Sequence, residues 1–296
     1  MLENTIEYQI NFWQAIAAHY IFPEGGFAFT TKMSGADTNL LILTKQDLQT
    51  LKSILPEVTS FFEKHQVPWG INIVDNPHSA EIISFLEEKH FSKIYTQHQM
   101  ETKLASLPQT PGSPLVREVG DGDLEMLKDW TKPVVSGFKI QGSKDADLYY
   151  KLNEIALSRE DNILKHFVLY DGAQPLSSAT LSIHGDVARL DNVSTMVEAQ
   201  RKGNGRALVE YCISKARALG CKYIIFESSE RGINLYRKMG FKEVAMSCVY
   251  SASKSSEFSA NDPSACSASD SLVCSANESS ESSASNPLPR NGSKSS

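Results

Sequence analysis

The stretch DNVSTMVEAQRKGNGRALVEYCISKARALG, Asp191 to Gly220, decides how this chain is read. A β-type run ends near Thr195, and Gln200-Arg201-Lys202-Gly203-Asn204-Gly205 leads directly into an amphipathic helix. That helix is predicted from Arg206 to Leu219. Leu208, Val209, Cys212, Ile213, Ala216 and Leu219 recur along it at helical spacing, and Gly220 stops it. Glycines at the junction let the backbone turn tightly and approach a ligand. The first helical turn leaves N–H groups without intrahelical partners, and the helix dipole adds positive charge there. Such a place suits a diphosphate, with Arg201, Lys202 and Arg206 adding side-chain charge. A plain strand-to-helix turn is the alternative. Two other phosphate loops are excluded: no Gly-Lys-Ser/Thr follows Gly205, and Leu208 stands where a dinucleotide fingerprint needs its third glycine.

Working outward, residues 115–250 alternate strand and helix patterns. Strands are predicted at Leu115 to Val119, His166 to Tyr170, Leu176 to Ile183 and Val187 to Thr195, with helices at Asp121 to Trp130 and Ala146 to Ser158. Beyond Gly220 come a buried-type strand from Tyr223 to Phe226, a short helix from Gly232 to Met239, and a last strand from Phe241 to Tyr250. Hairpins followed by a strand-helix-strand unit imply a mixed α/β fold, with helices on the faces of a mostly antiparallel sheet.

The segment Gln200 to Gly205 matches Q/R-x-x-G-x-G/A, and TMVEAQRKGNGRAL resembles the wider acetyl-CoA signature of the GNAT N-acetyltransferases. Val197 stands where proline is common, and Gln200 takes the place of an arginine. Downstream, SSERGINLYRKMGFKEV (Ser228 to Val244) is similar to the same family's L-Y-x-x-x-G-F ending, supplied by Leu235, Tyr236, Gly240 and Phe241. Two motifs in order are far more specific than either alone. The resemblance spans residues 115–250 and implies a GNAT-like acyl-CoA N-acyltransferase fold.

The resemblance also implies roles. Val193, Ser194 and Thr195 would bond the pantetheine arm of acetyl-CoA, and the amides from Arg201 to Arg206 would hold its diphosphate. The amine would attack the thioester directly, with both substrates bound together. Tyr236 matches the family's general acid, and Ser229 falls where many relatives carry an asparagine that touches the CoA arm. A strand glutamate that serves some relatives as base is replaced here by Arg189, which leaves Asp191 and Glu227 as candidate bases. His184 reads as a solvated turn residue. The expected reaction is acetyl transfer from acetyl-CoA to a primary amine, with a small molecule or amino acid favoured over a protein lysine or N-terminus. The alternative is a CoA-binding sensor or interaction module without catalysis.

Residues 1–105 lack a Q-x-x-G-x-G loop but keep a similar rhythm. A helix is predicted from Thr50 to His65, a strand from Trp69 to Val74, a helix from Pro77 to Lys89, and a strand from Phe91. SAEIISFLEEKHFSKIY is similar to the family's helix-to-strand ending, with His90-Phe91 for Gly-Phe. This half resembles a degenerate GNAT-like copy, an unrelated accessory α/β domain being the alternative, so two tandem domains are expected, with 106–114 as linker. Trp13, Trp69, Phe61 and Phe62 read as core or interdomain packing. Residues 251–296 are serine-dominated and of low complexity, which predicts a disordered tail.

Composition agrees with a globular protein. The chain has 296 residues, 41% hydrophobic and 22% charged, with a net charge of -6. No basic surplus points to nucleic acid, and no apolar run approaches the roughly 20 residues of a membrane span. The N-terminus lacks a secretory pattern, and the five cysteines form no C-x-x-C pair. Reduced thiols, no metal and a cytoplasmic location are expected; the oligomeric state is left open.

Overall fold

The computed structural model describes residues 5–252, except Pro111, Gln141 and Arg231; the serine-rich stretch beyond lies outside the described residues. The first half runs α1 (Thr5–Ile16), β1 (Ala18–Phe22), β2 (Gly26–Thr30), β3 (Asn39–Leu43), α2 (Leu48–His65), β4 (Gly70–Val74), α3 (Ser79–Glu88) and β5 (Ser92–Lys103). The second runs β6 (Val116–Glu118), α4 (Leu124–Gly137), α5 (Ser143–Leu157), β7 (Leu164–Asp171), β8 (Gln174–His184), β9 (Val187–Thr195), α6 (Asn204–Ala218), β10 (Tyr223–Ser228), α7 (Ile233–Lys238) and β11 (Lys242–Ser251). The expected mixed α/β architecture forms, with helices flanking a mostly antiparallel sheet. Among the described residues, only β3–β4 and β9–β10 pair in parallel.

Local chemistry explains the helices. Asp47 caps α2 by accepting from the Thr50 amide at 2.8 Å, and Leu51, Ile54, Val58 and Phe62 form its buried stripe. In α4, Asp123 caps by accepting from the Met126 amide at 3.0 Å. This helix continues past its expected end at Trp130, through Pro133, because Val134 remains buried on the same face as Leu127 and Trp130.

The eleven strands of the described residues form one sheet, in the order β1-β2-β3-β4-β11-β5-β10-β9-β8-β7-β6. The succession β-β-β-α-β-α-β occurs twice, once from β1 to β5 and once from β7 to β11. Each repeat donates its last strand to the other. The first half's β5 pairs with β10, His98 opposite Ser228, and the second half's β11 pairs with β4, Ser247 opposite Val74. The exchanged strands then pair with each other at the centre. The cores follow the exchange: Met100 and Leu104 pack with Phe226 and Leu208, while Tyr250 packs with Phe62 and Ile71. Residues following β5 are tied down too, since the Arg217 guanidinium of α6 donates to the carbonyls of Leu104, Leu107 and Pro108. Trp69 lies on Phe62 at 4.8 Å within the first half. Trp13 joins Ala156 and Leu164 in a cluster that bridges the halves.

Candidate active site

The site begins where two parallel strands part. β9 pairs with β10 only at Val187, Ala188 and Arg189; from Leu190 and Phe226 onward the strands diverge. A bulge in β9 starts the divergence. Asp191 lies opposite Thr180, and Ser194 lies opposite Ser178, so β9 carries one extra residue. Asn192 takes the left-handed conformation there, at φ 54°. It is held by the Tyr149 hydroxyl, which donates to its Oδ1 at 2.6 Å, and by its own amide donating to Thr180 Oγ1 at 3.3 Å. The gap encloses a cavity of about 50 Å³ lined by Leu190, Asp191, Asn192, Val193, Phe226, Glu227 and Tyr236.

Past Thr195, a 3₁₀ turn at Val197–Ala199 leads to the glycine loop. Gln200 Nε2 donates to the Thr195 carbonyl at 3.2 Å, and Asn204 Nδ2 donates to the Ala199 carbonyl at 3.0 Å. Both side chains therefore brace the loop. Arg201 (φ 64°) and Gly203 (φ 83°) supply the left-handed turns. Gly203 is the N-cap of α6, and no side chain caps the helix. A Cβ added at Gly203 would meet nothing within 4 Å, so the space above the helix start is open. Among the described residues, the amides of Arg201, Lys202 and Gly203 donate to no main-chain carbonyl. The side chains of Arg201, Lys202 and Arg206 are exposed, and Arg206 pairs with Glu210 at 2.9 Å.

The strand leading to the loop is held from both faces. Val193 belongs to the core beneath α6. Ser194 donates to the Pro133 carbonyl at 2.6 Å, and Thr195 shares a 2.8 Å hydrogen bond with Ser177. Helix α4 approaches so closely that a Cβ on Gly137 would lie 1.9 Å from Ser194 Oγ. Ser229 serves the start of α7, accepting the Gly232 amide on its hydroxyl at 3.3 Å and the Ile233 amide on its carbonyl at 3.2 Å.

Tyr236 is 1% exposed, packed on Phe226 with ring centroids 4.2 Å apart, and lines the cavity. Burial pushes its hydroxyl far above the usual tyrosine range, so it stays protonated at any physiological pH. Two carboxylates, Asp191 and Glu227, line the same cavity. Arg189 reaches both: its Nη1 donates to Glu227 Oε1 at 2.9 Å, its Nη2 also contacts Glu227 Oε2, and Nη2 lies 2.9 Å from Asp191 Oδ1. All three side chains are at least nine-tenths buried. Burial raises Asp191 to about 6 despite the opposing pull of Arg189. Among the described residues, Asp191 Oδ2 and Arg189 Nε have no hydrogen-bond partner.

The structure thus brings Asp191, Val193, Phe226, Glu227 and Tyr236 around one cavity, with the loop from Gln200 to Arg206 at the end of the same strand. Pairing of both carboxylates with an arginine is compatible with the sequence, but only the structure identifies it as Arg189, because that contact spans two strands. Sequence reading misses Asn192, although an asparagine inside a strand is a usable sign of a left-handed bulge. His184 is half-exposed at the end of β8, with its ring 5.9 Å from that of Tyr8. Among the described residues no group of His, Cys, Asp and Glu could hold a metal ion, and no helix is long and apolar enough to cross a membrane.

Residues 125–241 match the family model described as Acetyltransferase (GNAT) family, and this segment is a GNAT domain. The fold is similar to that of a GCN5-related N-acetyltransferase from Kribbella flavida, with a TM-score of 0.59 at 12% identity, covering 83% of this chain and 93% of that one. It is similar also to a functionally unknown conserved protein from Staphylococcus epidermidis, with a TM-score of 0.60 at 11% identity, covering 79% and 93%. A GCN5-related N-acetyltransferase from Sphaerobacter thermophilus aligns with a TM-score of 0.56 at 10% identity, covering 84% and 85%. No curated protein sequence matches the chain.

Proposed function

We propose that this chain transfers an acetyl group from acetyl-CoA to a primary amine, with both substrates bound at once. The observation that carries the reading is an uncapped helix start in line with a gap between parting strands. The diphosphate rests on the amides between Arg201 and Arg206, where Arg201 and Lys202 add charge. The pantetheine arm extends along β9 at Val193, Ser194 and Thr195, and its thioester reaches the cavity beside Tyr236. There the tyrosine hydroxyl donates a proton to the departing thiolate, and Asp191 or Glu227 receives the proton of the amine. Ser229 supports the arm indirectly through the start of α7. A small amine or amino acid suits this narrow site better than a protein lysine or N-terminus.

In this reading residues 115–250 are catalytic and residues 1–105 are a degenerate copy that braces them. Calorimetry with CoA, and free-thiol release from acetyl-CoA with primary amines, test the reading. Binding to one site and amine-dependent thiol release are expected; no binding at millimolar CoA refutes it. A second reading, a CoA-binding module without turnover, is favoured by the engagement of both carboxylates by Arg189. Binding of CoA with no thiol release on any amine selects it.

A further inference from the structure

The two carboxylates beside the cavity differ in one respect that separates their roles. Glu227 gives both oxygens to Arg189. Asp191 gives only Oδ1, and its Oδ2 is buried without a partner. A buried carboxylate oxygen left unpaired is costly unless something meets it there. We infer that Asp191, through Oδ2, takes the proton of the acceptor amine, and that Arg189 is the positioning residue that holds it, anchored in turn by Glu227. This assignment rests on the acyl-transfer reading and adds to it which group is the base and what fixes it.

Several elements contribute groups around Asp191. Arg189 comes from its own strand, Glu227 from β10, and Tyr149 from α5 by way of Asn192. Tyr236 of α7 lines the same cavity. His166 of β7 stands behind, bonded at 2.8 Å to the Thr180 hydroxyl that also accepts from Asn192. Burial drives this histidine down to about 3, so it adds no charge. The first half of the chain closes the arrangement. Phe12 of α1 packs its ring 5.7 Å from the Arg189 guanidinium, and Tyr95 of β5 lies near enough to feel the Glu227 charge. Glu227 is therefore spent on the arginine, and Asp191 is left with one oxygen for chemistry. For a neutral amine, the nitrogen forms its bond to the thioester carbon while its N–H proton passes to Asp191 Oδ2. The C–S bond breaks and the sulfur takes the Tyr236 proton. Solvent then returns a proton to the tyrosine and removes one from the aspartic acid.

The test uses the full chain saturated with CoA. The carboxyl carbon of Asp191 is followed by NMR against pH in wild type, Arg189→Lys and Arg189→Gln. Titration near pH 6 is expected in wild type, with a shift upward in Arg189→Gln as the cation is lost and a smaller shift in Arg189→Lys. Thiol release from acetyl-CoA with glycine, lysine, spermidine and glucosamine supplies the kinetic arm. The rate should fall on the acid side of about pH 6, that limb should move with the NMR midpoint, and Asp191→Asn should lower kcat about 100-fold with CoA affinity kept. Turnover unchanged in Asp191→Asn, or a titration indifferent to Arg189, overturns this assignment alone. Tight CoA binding with no turnover of any amine overturns the assignment together with acyl transfer.

Discussion

The two repeats contain the same helix start, and they treat it in opposite ways. In the second repeat, α6 begins at Gly203 with no side-chain cap, open space above it and basic residues beside it. In the first, α2 begins at Asp47, whose carboxylate takes the Thr50 amide at 2.8 Å and the Thr50 hydroxyl at 2.9 Å. The anion that the helix dipole attracts is covalently part of the chain. The gap beside it is occupied as well: Gln46 links the end of β3 to β4, accepting from the Val74 amide at 3.1 Å and donating to the Leu43 carbonyl at 3.0 Å. The difference reaches the end of each repeat. Counting back five residues from Phe241 gives Tyr236, and from Phe91 gives Leu86, fully buried in its own core. Even the turn before each last strand keeps its shape, with Gly240 at φ 98° and His90 at φ 64°. A repeated frame thus holds one helix start without a side-chain cap and one whose seat is filled from within.

The comparison can be broken most sharply at its chemical end. Tyr236→Phe makes the second repeat resemble the first in losing the hydroxyl while keeping the ring. A drop of about 100-fold in thiol release, at unchanged CoA affinity by calorimetry, is expected. Placing a carboxylate at the uncapped helix start comes next. Gly203→Asp puts a carboxylate at the α6 start, where it competes with the diphosphate, and at φ 83° it also strains the turn; a loss in CoA affinity of about 30-fold is expected, at roughly 1.4 kcal/mol per factor of ten. Emptying the filled seat has a different readout. Asp47→Ala removes a cap and should cost about 1 kcal/mol in denaturant unfolding. CoA should still bind at one site per chain, because Gln46 keeps β3 and β4 bridged. Two sites would end the interpretation of the first repeat as closed. The smallest effect belongs to the exposed cations: Arg201→Ala with Lys202→Ala should weaken CoA about fivefold and flatten its salt dependence.

Legibility in the sequence followed the range of the interactions. The glycine loop and the helix beyond it are local, so Gly203 and the stripe of Leu208, Val209 and Cys212 announce themselves. The ends of the helices were harder, as α4 shows by running through Pro133 to Gly137. The first residues hid α1, because Gln9 is buried where a clean stripe would be apolar. They also hid β1, most of whose residues are exposed at the sheet edge. The strand exchange was invisible, since each of β5 and β11 is a good strand by itself and its neighbour depends on residues far along the chain. At the site, Tyr236, Asp191 and Glu227 could be named from position, but Arg189 could not be tied to them until two strands were seen side by side.

The crossing of β5 and β11 also bears on the order in which the molecule can be completed. Until residues 242–251 have been synthesised, β4 has a bare flank, and Ile71 and Phe62 lack Tyr250 to pack against. The first repeat therefore waits on the last strand of the second, with an unsatisfied sheet edge in the interim. Cutting the chain between Lys103 and Val116 would not release two finished bodies; each product would carry one strand meant for the other.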